Sequence, residues 1–302
     1  MAKLSRQVIE IIKTIIFLLI IGTLFVAYVI YPLNRTKAMM GREGLDDYDD
    51  DSLIINDPAA FLEINLPVDT FRVESDGLTK LACLYIPAVD DSLTAKKGTV
   101  LLLHKDGEKR DSLLQITEEF HDSGFVVITY DQRASGRSTG KYRGEGYYES
   151  SDLQEIVRNF EIREKILHPL YIVGWGLGAE GAMLASLEEK RIDGVIAINP
   201  YLTTKRMQNI LKKQHKAIWF PFYRTIMWWW YNIRSSYAAP YREIDDMKPV
   251  TCPTLIIISP EYENEPEITH IKEISPQELL KIENIPKTDD ALIRLILSFM
   301  NK

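Results

Sequence analysis

The chain has 302 residues, 46% hydrophobic and 26% charged, with a formal net charge of −7. That length bounds it to one large domain or two small ones. The acidic balance excludes a partner that needs a broad basic face, so no nucleic acid is expected. Two cysteines, Cys83 and Cys252, lie far apart in or beside apolar runs, the pattern of buried thiols and not of metal ligands.

Residues 14–33 (TIIFLLIIGTLFVAYVIYPL) carry no charge. As a helix rising about 1.5 Å per residue they are roughly 30 Å long, which matches a bilayer core. Lys3, Arg6 and Lys13 lie ahead of the span, in or at the end of the 1–13 tail, and no small-x-small cleavage site follows it. The reading is an uncleaved, single-pass signal anchor. Arg35, Lys37 and Arg42 follow it, so flanking charge is nearly balanced. The basic start keeps the N-terminus cytoplasmic and places the main domain outside. Residues 34–60 read as an acidic linker. Its Asp run lacks the Gly and terminal Glu spacing of a calcium loop, so it reads as a solvated spacer holding the domain off the membrane.

From 61 to 302 strands alternate with helices. TFRVES (70–75) and LTKLACLYIP (78–87) flank Asp76-Gly77, a hairpin signal. GTVLLL (98–103), FVVITY (125–130), GVIAI (194–198) and TLIII (254–258) read as strands buried on both faces. Residues 277–285 are the last strand; 111–123, 151–165 and 289–300 are helical. This rhythm predicts right-handed βαβ units in a mostly parallel sheet with helices on both faces. Residues 201–249 interrupt it as a cap-sized insertion. It holds a basic part (Lys205, Arg206, Lys212, Lys213, Lys216), then Trp219, Phe220, Phe222, Tyr223, Trp228, Trp229, Trp230 and Tyr231.

At the centre stands LYIVGWGLGAEG (170–181), a strand, a tight glycine turn and a helix. Gly176, Gly178 and Gly181 satisfy Gly-x-Gly-x-x-Gly, a dinucleotide fingerprint. The following strand ends at Asn199-Pro200, with no acid for a ribose, and at least two βα units come first; both facts count against that reading. The other reading is a nucleophile elbow, Gly-x-Ser-x-Gly, with Gly176 in the place of the serine.

Residues 71–302 resemble the α/β-hydrolase superfamily, in the branch of monoglyceride lipases and similar bacterial esterases. His104 closes LLLH where that family has His-Gly. Asp131-Gln132-Arg133-Ala134-Ser135-Gly136-Arg137-Ser138 is close to its Asp-x-Arg-Gly-x-Gly-x-Ser. Gly146, Glu149 and Asp152 echo its Gly-x-x-Glu-x-x-Asp, and the elbow and cap fall in order. The resemblance implies an α/β-hydrolase fold and a Ser, His and acid triad. Here position 176 is Gly. The acid turn reads Ser259-Pro260-Glu261-Tyr262, with Tyr262 at the acid position. No His stands near 287–289, since His270 lies too early, and Lys105 replaces the Gly of His-Gly.

The expectation is therefore a membrane-anchored pseudoenzyme, with no confident catalytic residue, metal or cofactor. The alternatives are a hydrolase with a displaced nucleophile (Ser135 or Ser138, near Asp131 and His104) and a nucleotide binder. The expected ligand cleft is His104, Lys105, Trp175, Gly176 and Leu177, with Leu177 and Lys105 as a vestigial oxyanion region. Backbone N–H groups at the helix start favour an anionic or lipid-like ligand there. The aromatic segment reads as a lid, or as a face toward the lipid bilayer or a protein partner.

Overall fold

Runs of β-branched residues and leucine make the centre of the molecule. A computed structural model describes residues 6–41, 59–89, 97–140, 142–214, 222–238 and 240–301. The strands are β1 (Asp69–Ser75), β2 (Thr79–Ile86), β3 (Thr99–Leu103), β4 (Val126–Tyr130), β5 (Leu170–Trp175), β6 (Gly194–Ile198), β7 (Thr254–Ile258) and β8 (Leu280–Asn284). They form one sheet in the order β1-β2-β4-β3-β5-β6-β7-β8. The β1–β2 and β2–β4 pairs are antiparallel and the others parallel. Every residue of β3, β4, β6 and β7 is buried, as the unalternating apolar runs require. At the Asp76-Gly77 turn both residues have positive φ, and the Asp76 carboxylate accepts from the Leu78 and Thr79 amides.

The helices are α1 (Arg6–Phe25), α2 (Tyr31–Met40), α3 (Ala59–Glu63), α4 (Leu114–Asp122), α5 (Tyr147–Ile162), α6 (Leu177–Glu188), α7 (Thr204–Gln214), α8 (Tyr223–Ala238), α9 (Pro266–Ile274) and α10 (Asp289–Met300). One face of the sheet is covered by α5, α6 and α9 through Leu153, Ile156, Phe160, Ala182, Ile268 and Ile271. The other is covered by α3, α4 and α10 through Phe61, Ile116, Phe120, Leu292 and Ile296. A third cluster joins α7 (Met207, Ile210, Leu211) to α8 (Met227, Trp228, Tyr231) over Leu177 and Tyr201, and this is the cap.

Strand order reverses at β3: the chain crosses from β3 to β4 on one side, then returns to β5 on the other. Open α/β sheets present their ligand crevice at such a switch point, beyond the C-terminal strand ends. The loops after β3 and β5 therefore frame the site.

The N-terminal helix is longer than the 14–33 run. Residues 6–36 form one span long and apolar enough to cross a membrane, and α1 buries none of its side chains. A π-helical turn (Val26–Ile30) precedes Pro32, whose ring would clash with the carbonyl four residues back in a regular helix. Beyond the turn Pro32 and Thr36 are buried, and α2 packs along α8 of the cap. Gly41 then bridges Tyr142. Residues 34–40, read as part of a spacer, thus belong to a helix seated on the domain. Residues 42–58 of that linker, with the Asp run, lie outside the described residues.

Candidate active-site cleft

At the end of β5 the backbone reverses through Gly176, with φ +52° and ψ −111°. A residue with a Cβ is strained in such a conformation, whereas Gly is not. The Gly176 amide donates to Ile198 O at 2.9 Å, and its carbonyl accepts from the Glu180 amide at 3.0 Å. Gly178 and Gly181 serve packing. A Cβ at 178 would lie 2.7 Å from the His104 carbonyl oxygen, and one at 181 would lie 3.0 Å from the Glu149 Cβ. The fingerprint-like spacing thus seats α6 against β3 and α5. Asn199, at the end of β6, exchanges hydrogen bonds with Ser259.

The loop after β3 places Asp106 over the elbow. A Cβ at 176 would lie 3.1 Å from Asp106 Oδ1 and 3.7 Å from the Tyr201 hydroxyl oxygen. Tyr201 donates to Asp106 Oδ1 at 2.6 Å. The place where a nucleophilic hydroxyl would stand therefore faces a carboxylate–tyrosine pair. Around it opens a small pocket of about 30 Å³, with a polar wall of Asp106, Arg143, Glu145, Tyr201 and Tyr231 and an apolar wall of Leu177, Met207 and Leu211. Tyr231 donates to Glu145 Oε1 at 3.0 Å. Burial, and then the adjoining carboxylate, push the Tyr201 and Tyr231 pKa values up, so both hydroxyls stay neutral donors.

Residues 94–254, just over half of the chain, match the family described as "Serine aminopeptidase, S33". The chain belongs to this family of α/β-hydrolases. Its fold is similar to that of a Pyrococcus furiosus esterase, with TM-score 0.64 and 17% identity over 87% of this chain and 97% of that one. An esterase from Exiguobacterium antarcticum gives 0.56 and 16%, covering 78% and 100%. The α/β hydrolase GrgF from Penicillium sp. sh18 gives 0.55 and 14%, covering 78% and 98%. At these identities the likeness is one of fold. No curated protein matches the sequence.

Within this hydrolase fold, several residues expected in the cleft lie elsewhere. Leu177 does line it. The Lys105 Cβ stands at the elbow, 3.4 Å from the Gly176 Cβ position, but the side chain runs outward and its ammonium pairs with Glu108 at 2.8 Å. His104 is buried at 1% exposure. Its Nδ1 lies 2.7 Å from the Lys105 carbonyl oxygen, and the Gln132 amide donates to its Nε2 at 3.0 Å. These partners assign the proton to Nδ1 and occupy the Nε2 lone pair. Burial pushes the His104 pKa down, so the ring is a neutral strut and not a free base. Trp175 turns to the α4 and α10 face, where it packs on the core. Strand alternation explains it: Tyr171, Val173 and Trp175 share one face of β5.

The loop motif after β4 is likewise structural. Asp131 accepts from the Arg110 and Arg137 amides at 2.9 and 2.8 Å. Ser138 has no exposure; its hydroxyl accepts from the Ala82 amide at 2.8 Å and donates to the Asp131 carbonyl. Ser135 sits in the same buried turn. Neither serine lines the pocket. Arg133 clamps Asp152 with bonds of 2.7 and 2.6 Å and reaches Asp76 at 3.1 Å, while Glu149 accepts the Gly144 and Gly146 amides ahead of α5.

At the acid position Tyr262 packs against the cap cluster and lies under the Arg206 guanidinium, 4.9 Å from its ring centre. Arg206 pairs with Glu265. Where the histidine would stand, Thr288 caps α10 by accepting from the Ala291 amide. Among the described residues no histidine lines the pocket: His121 bonds the Pro87 carbonyl, His168 bridges Glu161 and Asp193, and His270 is on α9. His215 lies outside the described residues.

The aromatic segment divides by helix phase. Trp228 and Tyr231 are buried in the cap, and Trp230 is half-buried. Trp229 and Phe222 point outward at 58% and 78% exposure. Trp219, Phe220 and the side chain of Tyr223 lie outside the described residues. Arg242, beyond α8, pairs with the buried Glu180 of α6 at 2.5 Å and so ties the cap to the elbow helix.

Proposed function

We propose that the protein is a membrane-tethered, non-catalytic member of its hydrolase family, which uses the elbow pocket to bind a small ligand. One observation carries this reading. Position 176 has no side chain, and the space above it holds Asp106 and Tyr201 instead of a hydroxyl and an imidazole. An acyl-transfer enzyme of this fold needs a nucleophile, a base to take its proton and an acid to orient that base. Full-length protein in detergent should turn over p-nitrophenyl butyrate no faster than buffer does; saturable turnover would sink the reading.

The tether is supported by the exposed apolar span and by the seat of α2 on α8. Phe222, Trp229 and Tyr241 are exposed on the same cap, and such side chains favour the membrane interface. The proposed topology has the N-terminus in the cytoplasm and the domain outside. Alkaline carbonate should leave the chain in the membrane pellet, and protease added to sealed inside-out vesicles should spare the domain. Release by carbonate, or digestion of the domain, would contradict tether and topology respectively.

A further inference from the structure

The elbow of a hydrolase is built to receive negative charge. The N-terminus of a helix, with its unpaired N–H groups and the positive end of its dipole, favours an anion. In this chain that ground is already taken. The Asp106 carboxylate stands within 3.1 Å of the Gly176 Cβ position, and Tyr201 holds its Oδ1. Asp106 Oδ2 carries no hydrogen bond among the described residues. A second carboxylate, Glu145, lies on the same wall, and among the described residues the cation lining the pocket is Arg143. Arg143 stands on that wall with its Nε buried and without a hydrogen-bond partner among the described residues. An incoming carboxylate at the elbow would meet the Asp106 carboxylate in a partly desolvated pocket, where like charges repel more strongly than in water.

We propose that the pocket takes a ligand with an ammonium or hydroxyl head, a primary ammonium best, on Asp106. A short apolar body lies against Leu177, Met207 and Leu211. This rests on the reading that the elbow does no chemistry, and it reverses the anion preference that the bare helix start implies.

The test uses the full chain in a non-ionic detergent at pH 7.5, titrated by calorimetry with hexylamine, hexan-1-ol and hexanoate. Hexylamine should bind at least about tenfold more tightly than hexanoate, as one charge-assisted hydrogen bond allows. Asp106→Asn should weaken hexylamine about tenfold and erase that ratio. Tyr201→Phe, which keeps the carboxylate, should keep the preference; it guards against reading a folding defect as a loss of charge. Hexanoate binding as well as hexylamine, an unchanged ratio in Asp106→Asn, or no binding of any of the three would each overturn the proposal. Fluorophosphonate treatment of the same samples separates the two readings. A labelled serine would defeat the non-catalytic reading, while the amine-to-carboxylate ratio judges the ligand class alone.

Discussion

Replacing Gly176 by serine returns a hydroxyl to the elbow and should return no activity. Its cost can be worked from the backbone. At φ +52° and ψ −111° a residue with a Cβ is strained by about 1–3 kcal/mol. Losing glycine's freedom in the unfolded chain offsets about 0.4–1 kcal/mol of that. The new Cβ also meets Asp106 Oδ1 at 3.1 Å, so the carboxylate must shift and loosen its bond to Tyr201. A net loss of about 1–2 kcal/mol follows, or about 2–3 °C in Tm for a chain of this size. Gly176→Ala should show the same loss without the hydroxyl. The assays are thermal unfolding by tryptophan fluorescence and p-nitrophenyl butyrate turnover, on full-length protein in detergent. Turnover by Gly176→Ser above wild type would mean that a base reaches the elbow, and the reasoning would fail. A rise in Tm would refute the strain.

Helix phase separates neighbouring tryptophans: Trp228→Ala should cost about 3–5 kcal/mol in urea unfolding, as loss of a buried aromatic does, while Trp229→Ala should stay within about 0.5 kcal/mol. Equal costs would place the α8 faces wrongly. Arg242→Met leaves Glu180, 2% exposed, without its ion partner, and should cost about 3–5 kcal/mol. Adding Glu180→Leu should recover part of that loss, so strictly additive costs would contradict a coupled pair. The two histidines pull in opposite directions with pH. His104 has a lowered folded pKa, so the stability it contributes is present above about pH 6.5 and is lost as pH falls, by at most about 1.4 kcal/mol per unit. Hydrogen bonding to Asp193, and then to Glu161, raises the His168 pKa against a desolvation penalty; its contribution is full below about pH 6.5 and is lost as pH rises through the folded value. His168→Gln should therefore lower Tm at pH 6 and leave it unchanged at pH 9, and the reverse order would contradict the assignment.

Much of the fold is legible because burial on both faces writes itself as unbroken apolar runs. GTVLLL, FVVITY, GVIAI and TLIII all became inner strands. The elbow was legible because a strand, a glycine turn and a small-residue helix leave a sequence mark, and Gly176 adopts the positive φ that the turn demands. Side-chain direction was not read from the sequence, which placed Trp175 in the cleft and grouped Trp228, Trp229 and Trp230 on one segment. Period-two alternation along β5 sends Trp175 away from the cleft, and helical phase along α8 turns Trp228 inward and Trp229 outward. The Asp106–Tyr201 pair had no local mark, since the partners stand 95 positions apart and meet only because the cap folds over the elbow. Nor did the docking of α2. Residues 34–40 read as linker because their polar pattern has no stripe of its own; the helix they belong to is held by α8, nearly two hundred residues on.

The most direct measurement is labelling of the purified full-length chain by a fluorophosphonate, followed by mass spectrometry of every serine-containing peptide. A cleft without a nucleophile predicts no adduct on the native protein beyond that on the heat-denatured one. A stoichiometric adduct on any single serine of the native protein would show an activated nucleophile, and the non-catalytic account would be wrong.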